Sequence, residues 1–258
     1  MVATLGRWAN RKTRDYAYAL GFLFQVLKET VLFVRRRQVA FKVLVLQILF
    51  TGVEALSIVS LIALSIGAVI IVEGGSILPR FGQTSLLYSI LIVVITRELG
   101  PILTAFIITA RSGTAIATEL GNMVVSHEIE AYISVGIDPV SYLVVPRVLG
   151  VTISVMALTI YFNFFGLFGS FLVSQLIKPV PFVEYFRALL ATIQLRDILS
   201  TVVKSFVFGV IISVVATFQG FKVSTSVTEI PRAAIKAVGQ GFVLCFLADA
   251  LITLIYYV

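Results

Sequence analysis

The chain has 258 residues, of which 59% are hydrophobic and only 13% charged. A water-soluble domain with that balance has too few polar side chains to cover its surface, so a soluble fold is excluded. The net charge of +7 comes from basic residues crowded near the N-terminus and in segments expected beside anionic head groups, which points to a membrane surface and away from nucleic acid.

Residues 1–43 form a basic amphipathic interfacial segment. Tyr16, Leu20, Leu23, Phe24, Leu27, Val31 and Val34 recur at steps of three and four, and Arg11, Lys12, Arg14 and the run Arg35-Arg36-Arg37 flank them. Such a helix lies in the cytoplasmic interface with its aromatic and leucine face in the acyl chains. A partner-binding helix is the rival reading. Because this segment delays the first apolar block to about Leu44, no cleavable signal is expected and the first span should insert and remain.

Residues 44–258 read as a transmembrane domain of five apolar blocks, near Leu44–Val72, Thr84–Ala110, Val148–Ile177, Ile198–Phe218 and Ala237–Val258. Segments of about ten alternating residues, the mark of a membrane barrel, do not occur, so the fold class is all-α. With the N-terminus inside, segments 1–43, 111–147 and 219–236 carry fourteen basic residues. Five lie on the other side: Arg80, Lys178, Arg187, Arg196 and Lys204, the last just inside the fourth span. That bias sets the N-terminus in the cytoplasm and the C-terminus outside.

In the second block stands Arg97-Glu98-Leu99-Gly100-Pro101. Charge at membrane depth costs roughly 2.5–3.5 kcal/mol per residue on the insertion scale, so these two need partners or a polar cavity. Pro101 leaves a carbonyl without its amide, which bends or interrupts the helix. Two readings stand: Arg97 meets an anionic head group with Glu98 setting its position, or the pair joins another span through Glu54 or Asp249. Those two acids read as hydrogen-bonded interhelical contacts.

Segment 111–147, holding Glu119, His127, Glu128, Glu130 and Asp138, reads as a partly helical docking surface for a cytoplasmic partner. Segment 178–197, with Pro179 and Pro181, reads as an external loop with a short helix. Gly166, Gly169 and Ser170 in the third span, and Gly209 and Ser213 in the fourth, mark close helix contacts and hint at a dimer seam. No phosphate-binding G-x-x-x-x-G-K-[ST] loop occurs, so nucleotide hydrolysis by that route is not expected here. His127 is the sole histidine and Cys245 the sole cysteine, so neither a metal site nor an intramolecular disulfide is expected. No nucleophile sits in a hydrolase motif, and the chain reads as non-enzymatic.

Arg97-Glu98-Leu99-Gly100-Pro101, then Ala110-Arg111-Ser112-Gly113, then Thr118-Glu119-Leu120-Gly121-Asn122-Met123 resemble the MlaE/YrbE permease family of lipid-transporting ABC systems associated with MCE proteins. Val135-Gly136-Ile137-Asp138-Pro139, Val145-Pro146-Arg147, Pro231-Arg232-Ala233 and Asp249 continue the likeness to the C-terminus. Two departures are His127-Glu128-Ile129-Glu130-Ala131-Tyr132, where that family commonly reads EQIDAL, and Pro231.

The resemblance implies a homodimer of five-span subunits, with a cytoplasmic coupling helix between spans two and three. An ATPase dimer carrying ATP and magnesium would dock through Glu119, Glu128, Glu130, Gly136 and Asp138, so no cofactor is expected in this chain. The resemblance also implies an external MCE ring and leaves room for a small cytoplasmic regulatory subunit. Phospholipid would lie near Arg97 and Glu98, with Glu54, Pro101 and Asp249 as structural intramembrane groups, in a bacterial inner membrane. The alternative is a self-sufficient secondary transporter or channel for an amphipathic solute.

Overall fold

The computed structural model describes residues 21–26, 28–30, 41–77, 86–177, 179–224 and 226–257. Among these, five helices are long and apolar enough to cross a bilayer: α1 (Val43–Ile77), α2 (Leu86–Val125), α4 (Val140–Ile177), α6 (Leu195–Phe221) and α7 (Val227–Tyr257). Two short helices join them, α3 (Glu128–Ser134) between α2 and α4, and α5 (Phe182–Thr192) between α4 and α6. No strand occurs among the described residues. Helix is the form in which an apolar segment satisfies its own backbone in lipid, so an all-α membrane fold follows from the composition.

The helices outrun the apolar blocks. At roughly 1.5 Å per residue, the 40 residues of α2 extend about 60 Å, twice the hydrocarbon thickness. Helix α2 continues fifteen residues past Ala110, α4 begins at Val140 instead of Val148, and α7 begins at Val227 instead of Ala237. A hydropathy reading stops where polar residues start. The backbone does not, because those polar groups find partners on neighbouring helices. The connection expected over 111–147 therefore shrinks to a short elbow around α3. His127 (φ 59) turns the chain into α3 and Gly136 (φ 78) turns it out. The left-handed φ at Gly136 is one that a side chain rarely tolerates.

Helix α4 is the central strut, with α1 against one side and α6 and α2 against others. The small residues make these approaches possible. Gly67 of α1 rests directly on the backbone at Gly166, where any Cβ would overlap, and a Cβ at Gly169 would lie 2.8 Å from Leu64. At Gly209 it would lie 2.5 Å from Cα of Thr152. The expected close contacts at Gly166, Gly169 and Gly209 are thus contacts within one chain. The hint of a dimer seam at these positions is corrected: intrachain partners already fill the space.

At the other end, α5 turns Tyr185 and Leu189 inward, both 1% exposed. Tyr185 shares a hydrogen bond with Ser170 at 2.8 Å and lies edge-on to Tyr88. Burial pushes the Tyr185 hydroxyl up to about 12, so it serves as a neutral hydrogen-bonding group.

Residues 21–26 and 28–30 are helical. Val26 is fully buried against Val144, Val148 and Val214, and the Phe22 ring packs on Phe218 and Phe221. The Ser141 hydroxyl donates to Glu29 at 2.7 Å. Of the apolar stripe expected to face acyl chains, Leu23 packs on protein and Phe24 points away, 77% exposed. Tyr16, Leu20, Leu27, Val31, Val34 and the basic flanks lie outside the described residues.

Candidate functional site

The site is built on a defect in α2. Residues Ile92–Leu99 wind as a π-helix, with the Gly100 amide donating to the Ile95 carbonyl five residues back. Pro101 has no amide to offer its fourth predecessor, the carbonyl of Arg97. Two carbonyls are thereby released, and α6 takes both. The Thr201 hydroxyl donates to the Thr96 carbonyl at 2.9 Å, and the Lys204 ammonium donates to the Arg97 carbonyl at 3.1 Å. Irregular backbone at membrane depth is tolerated where protein groups satisfy it in this way. The bend expected from Gly100-Pro101 is therefore a π-turn stitched to its neighbour.

The charges follow from the same stitch. Lys204, fully buried, also contacts the Glu98 carboxylate at 2.7 Å and Asp249 of α7 at 2.9 Å. Arg97, one residue earlier and about 100° around the helix, turns the other way and pairs with Asp197 of α6 at 2.7 Å. Its guanidinium lies 4.1 Å from the centre of the Tyr257 ring, and the Tyr257 hydroxyl donates to Asp197 at 3.2 Å. The Thr253 hydroxyl reaches the second oxygen of Glu98 at 3.4 Å. Two cations and three carboxylates from α2, α6 and α7 form one cluster.

Counting residues from the helix ends at Leu86, Leu195 and Tyr257 places Glu98, Lys204 and Asp249 about 12–18 Å inward. That is hydrocarbon depth, where isolated charge is not tolerated. Lys204 and Asp197 are sealed, whereas the side chains of Arg97 (21% exposed), Glu98 (33%) and Asp249 (17%) keep an open edge.

The sequence reading named Glu54 and Asp249 as carboxylates for Arg97; neither pairs with it. Asp249 joins the cluster through Lys204, while Glu54 pairs with Arg111, which also donates to the Phe50 carbonyl at 3.2 Å. Arg111 lies fourteen residues along α2 from Arg97, roughly 21 Å away, so Glu54 is at the wrong depth. Asp197 and Lys204 were missed as site residues. Asp197 carried a signal, since Gln194 and Asp197 make a capping box at the start of α6. Lys204 was counted as an outside charge but sits nine residues inside α6.

The residues expected to meet a partner divide. Glu128 and Glu130 stand on α3, none of whose residues is buried, and Glu130 meets His127 at 2.9 Å. Asp138 accepts the Ser141 amide at 2.9 Å, which caps α4, and Gly136 forms the turn. Glu119 is on α2, held by Arg147 of α4 at 2.7 Å.

A helical bundle crossing the membrane five times, with an ion cluster held at hydrocarbon depth and an exposed acidic elbow at its other end, defines a polytopic membrane permease. The family model "Permease MlaE" matches residues 44–255, and the chain belongs to that family. It is similar to a probable ABC transporter permease protein of Rickettsia felis, 26% identical over 257 residues that cover 100% of this chain and 99% of the relative. A probable ABC transporter permease protein of Rickettsia typhi is 30% identical over 207 residues, 80% of each chain. The intermembrane phospholipid transport system permease protein MlaE of Haemophilus influenzae is 28% identical over 218 residues, 84% of each.

Proposed function

We propose that this chain is the membrane-spanning subunit of an ABC transporter that moves phospholipid between inner and outer membranes, driven by a separate cytoplasmic ATPase. The observation that carries this reading is the ion cluster of α2, α6 and α7, open on one edge within a bundle of permease-family fold. A two-tailed lipid needs apolar walls and one polar contact. The open edges of Arg97 and Glu98 supply the polar contact, and the outer half of α7 supplies the wall. Beyond Cys245, Phe246, Leu247, Leu251, Leu254 and Ile255 are all exposed. A second copy facing that wall would enclose a lipid-sized cavity, which supports a homodimer; the bias of fourteen basic residues against five supports an N-terminus in the cytoplasm of an inner membrane.

In this reading the chain performs no covalent chemistry, and ATP and magnesium are held by the ATPase. That partner docks on α3. When the two ATPase subunits close, they draw the two elbows together, the packed helices change register, and the cavity expels its lipid toward an external MCE ring. The interfacial segment 1–43 holds the bundle at the cytoplasmic surface. A small regulatory subunit on the ATPase is compatible with this arrangement.

The test is transport of labelled phospholipid by the purified complex in proteoliposomes. Arg97→Ala is expected to cut transport at least tenfold while the complex still assembles and hydrolyses ATP. Loss of assembly instead would assign Arg97 to the fold alone. Glu128→Lys with Glu130→Lys is expected to release the ATPase during purification, and normal co-purification with stimulated hydrolysis would remove α3 as the docking element. Transport by this chain alone, without an ATPase, would replace the reading with a secondary transporter.

A further inference from the structure

Helix α3 has no fully buried residue and touches the bundle through the part-buried Ile129 and Tyr132, the latter ring lying on Tyr142 at the start of α4, so a force on it reaches the spans mainly through its two stems, the ends of α2 and α4. Those stems are fastened to each other. Arg147 is 5% exposed, its guanidinium donates to the Leu143 carbonyl at 2.8 Å, and it reaches Glu119 at 2.7 Å. Its Nε is buried without a partner, so Glu119 is the carboxylate that compensates this buried charge. The Glu119 side chain is 58% exposed. An arginine from one stem and a carboxylate from the other thus close the neck of a loop of twenty-seven intervening residues that contains α3 and both of its turns.

We propose that Glu119 and Arg147 form a clasp that makes the two stems of the elbow move as one body, so that displacement of α3 is delivered to the π-turn at Arg97 and not lost in splaying of the stems. Glu119 is then a positioning residue and not a docking contact. Along α2 it lies twenty-two residues, about 33 Å, from Arg97, so a rigid stem is the mechanical link between the elbow and the ion cluster. Helix α4 carries the same motion to α6 through the tight Gly209–Thr152 contact. An unclasped elbow would let α3 follow the ATPase while α2 and α4 separate at the neck, and the cluster would not move. This rests on α3 as the docking element, which the Glu128 and Glu130 reversals test separately.

The experiment uses the whole complex in proteoliposomes and reads phospholipid moved per ATP hydrolysed. Glu119→Gln keeps the shape of an exposed side chain, so the fold and ATPase binding are expected to persist. Transport per ATP should fall about tenfold. An unchanged ratio overturns the clasp, and loss of the ATPase from the complex overturns it in favour of a docking role for Glu119.

A second variant carries Glu119→Cys and Arg147→Cys, joined by a short reversible bis-methanethiosulfonate linker. Bridging should restore the ratio severalfold over the reduced form of the same protein, and reduction should abolish it again. Because one folded sample is switched both ways, a purely structural role would leave the ratio unmoved. Equal ratios in the bridged and reduced states overturn the proposal.

Discussion

Lys204→Met is expected to be the most damaging single substitution in this protein. Lys204 has no exposed surface, and its ammonium is shared by Glu98, Asp249 and the carbonyl released by Pro101. Methionine matches the stem but removes the charge, leaving two carboxylates and a bare carbonyl at hydrocarbon depth. Breaking a buried ion pair by removing one partner costs about 3–5 kcal/mol, a large part of the stability of a single domain. The expected result is a large fall in the detergent unfolding midpoint together with loss of phospholipid transport. Adding Glu98→Gln and Asp249→Asn should recover much of the stability, because amides need no counter-charge. It should not recover transport, since the polar contact for the lipid is lost. A single variant as stable as the parent would show that Lys204 does not hold the cluster together, and equal stability of single and triple variants would locate the damage elsewhere.

Gly100→Ala is expected to abolish most transport with a smaller effect on stability. A Cβ at Gly100 would overlap the Asn163 side-chain oxygen and lie 2.8 Å from the Ile95 carbonyl, the group that the Gly100 amide binds. Asn163 can rotate away, but the backbone carbonyl cannot move without undoing the π-turn. If the turn reverts to a regular α-helix, each residue from Ile92 to Leu99 shifts its direction. Arg97 and Glu98 then no longer face Asp197 and Lys204 together. The check is proteoliposome transport of Gly100→Ala alone and with Asn163→Ala. Asn163→Ala should relieve the side-chain overlap and recover stability without recovering transport. Full recovery of transport by the double variant would mean that side-chain crowding, and not the π-turn, governs the site.

Much of this architecture was legible from residue order alone. Blocks of twenty apolar residues dictate spans, because lipid leaves an apolar segment no other way to satisfy its backbone. Charge at Arg97 and Glu98 beside Pro101 marks the polar site, because hydrocarbon admits such residues only with partners. The acids of residues 128–138, between two spans, mark the elbow. Periodicity along one helix, however, specifies which residues share a face and is silent on which helix lies opposite. So Lys204, read as an outside cation, and Asp197, not singled out in the sequence reading, complete the cluster. Glu54, equally acidic and equally intramembrane, sits at a different depth and serves Arg111. Glu119, grouped with the docking acids by nearness in sequence, is drawn to Arg147 by the side-by-side course of α2 and α4.

Composition thus decided that the chain lives in a membrane, how often it crosses, and which few residues had to find polar company. The pairing itself was decided only by packing: Gly209 of α6 lies against Thr152 of α4, Gly220 of α6 against Ala117 of α2 and Gly241 of α7 against Thr109 of α2, and those contacts set the depth and rotation at which α2, α6 and α7 meet. Ion pairs act over a few ångströms, so a shift of one helical turn between neighbours would have chosen different partners from the same set of charges.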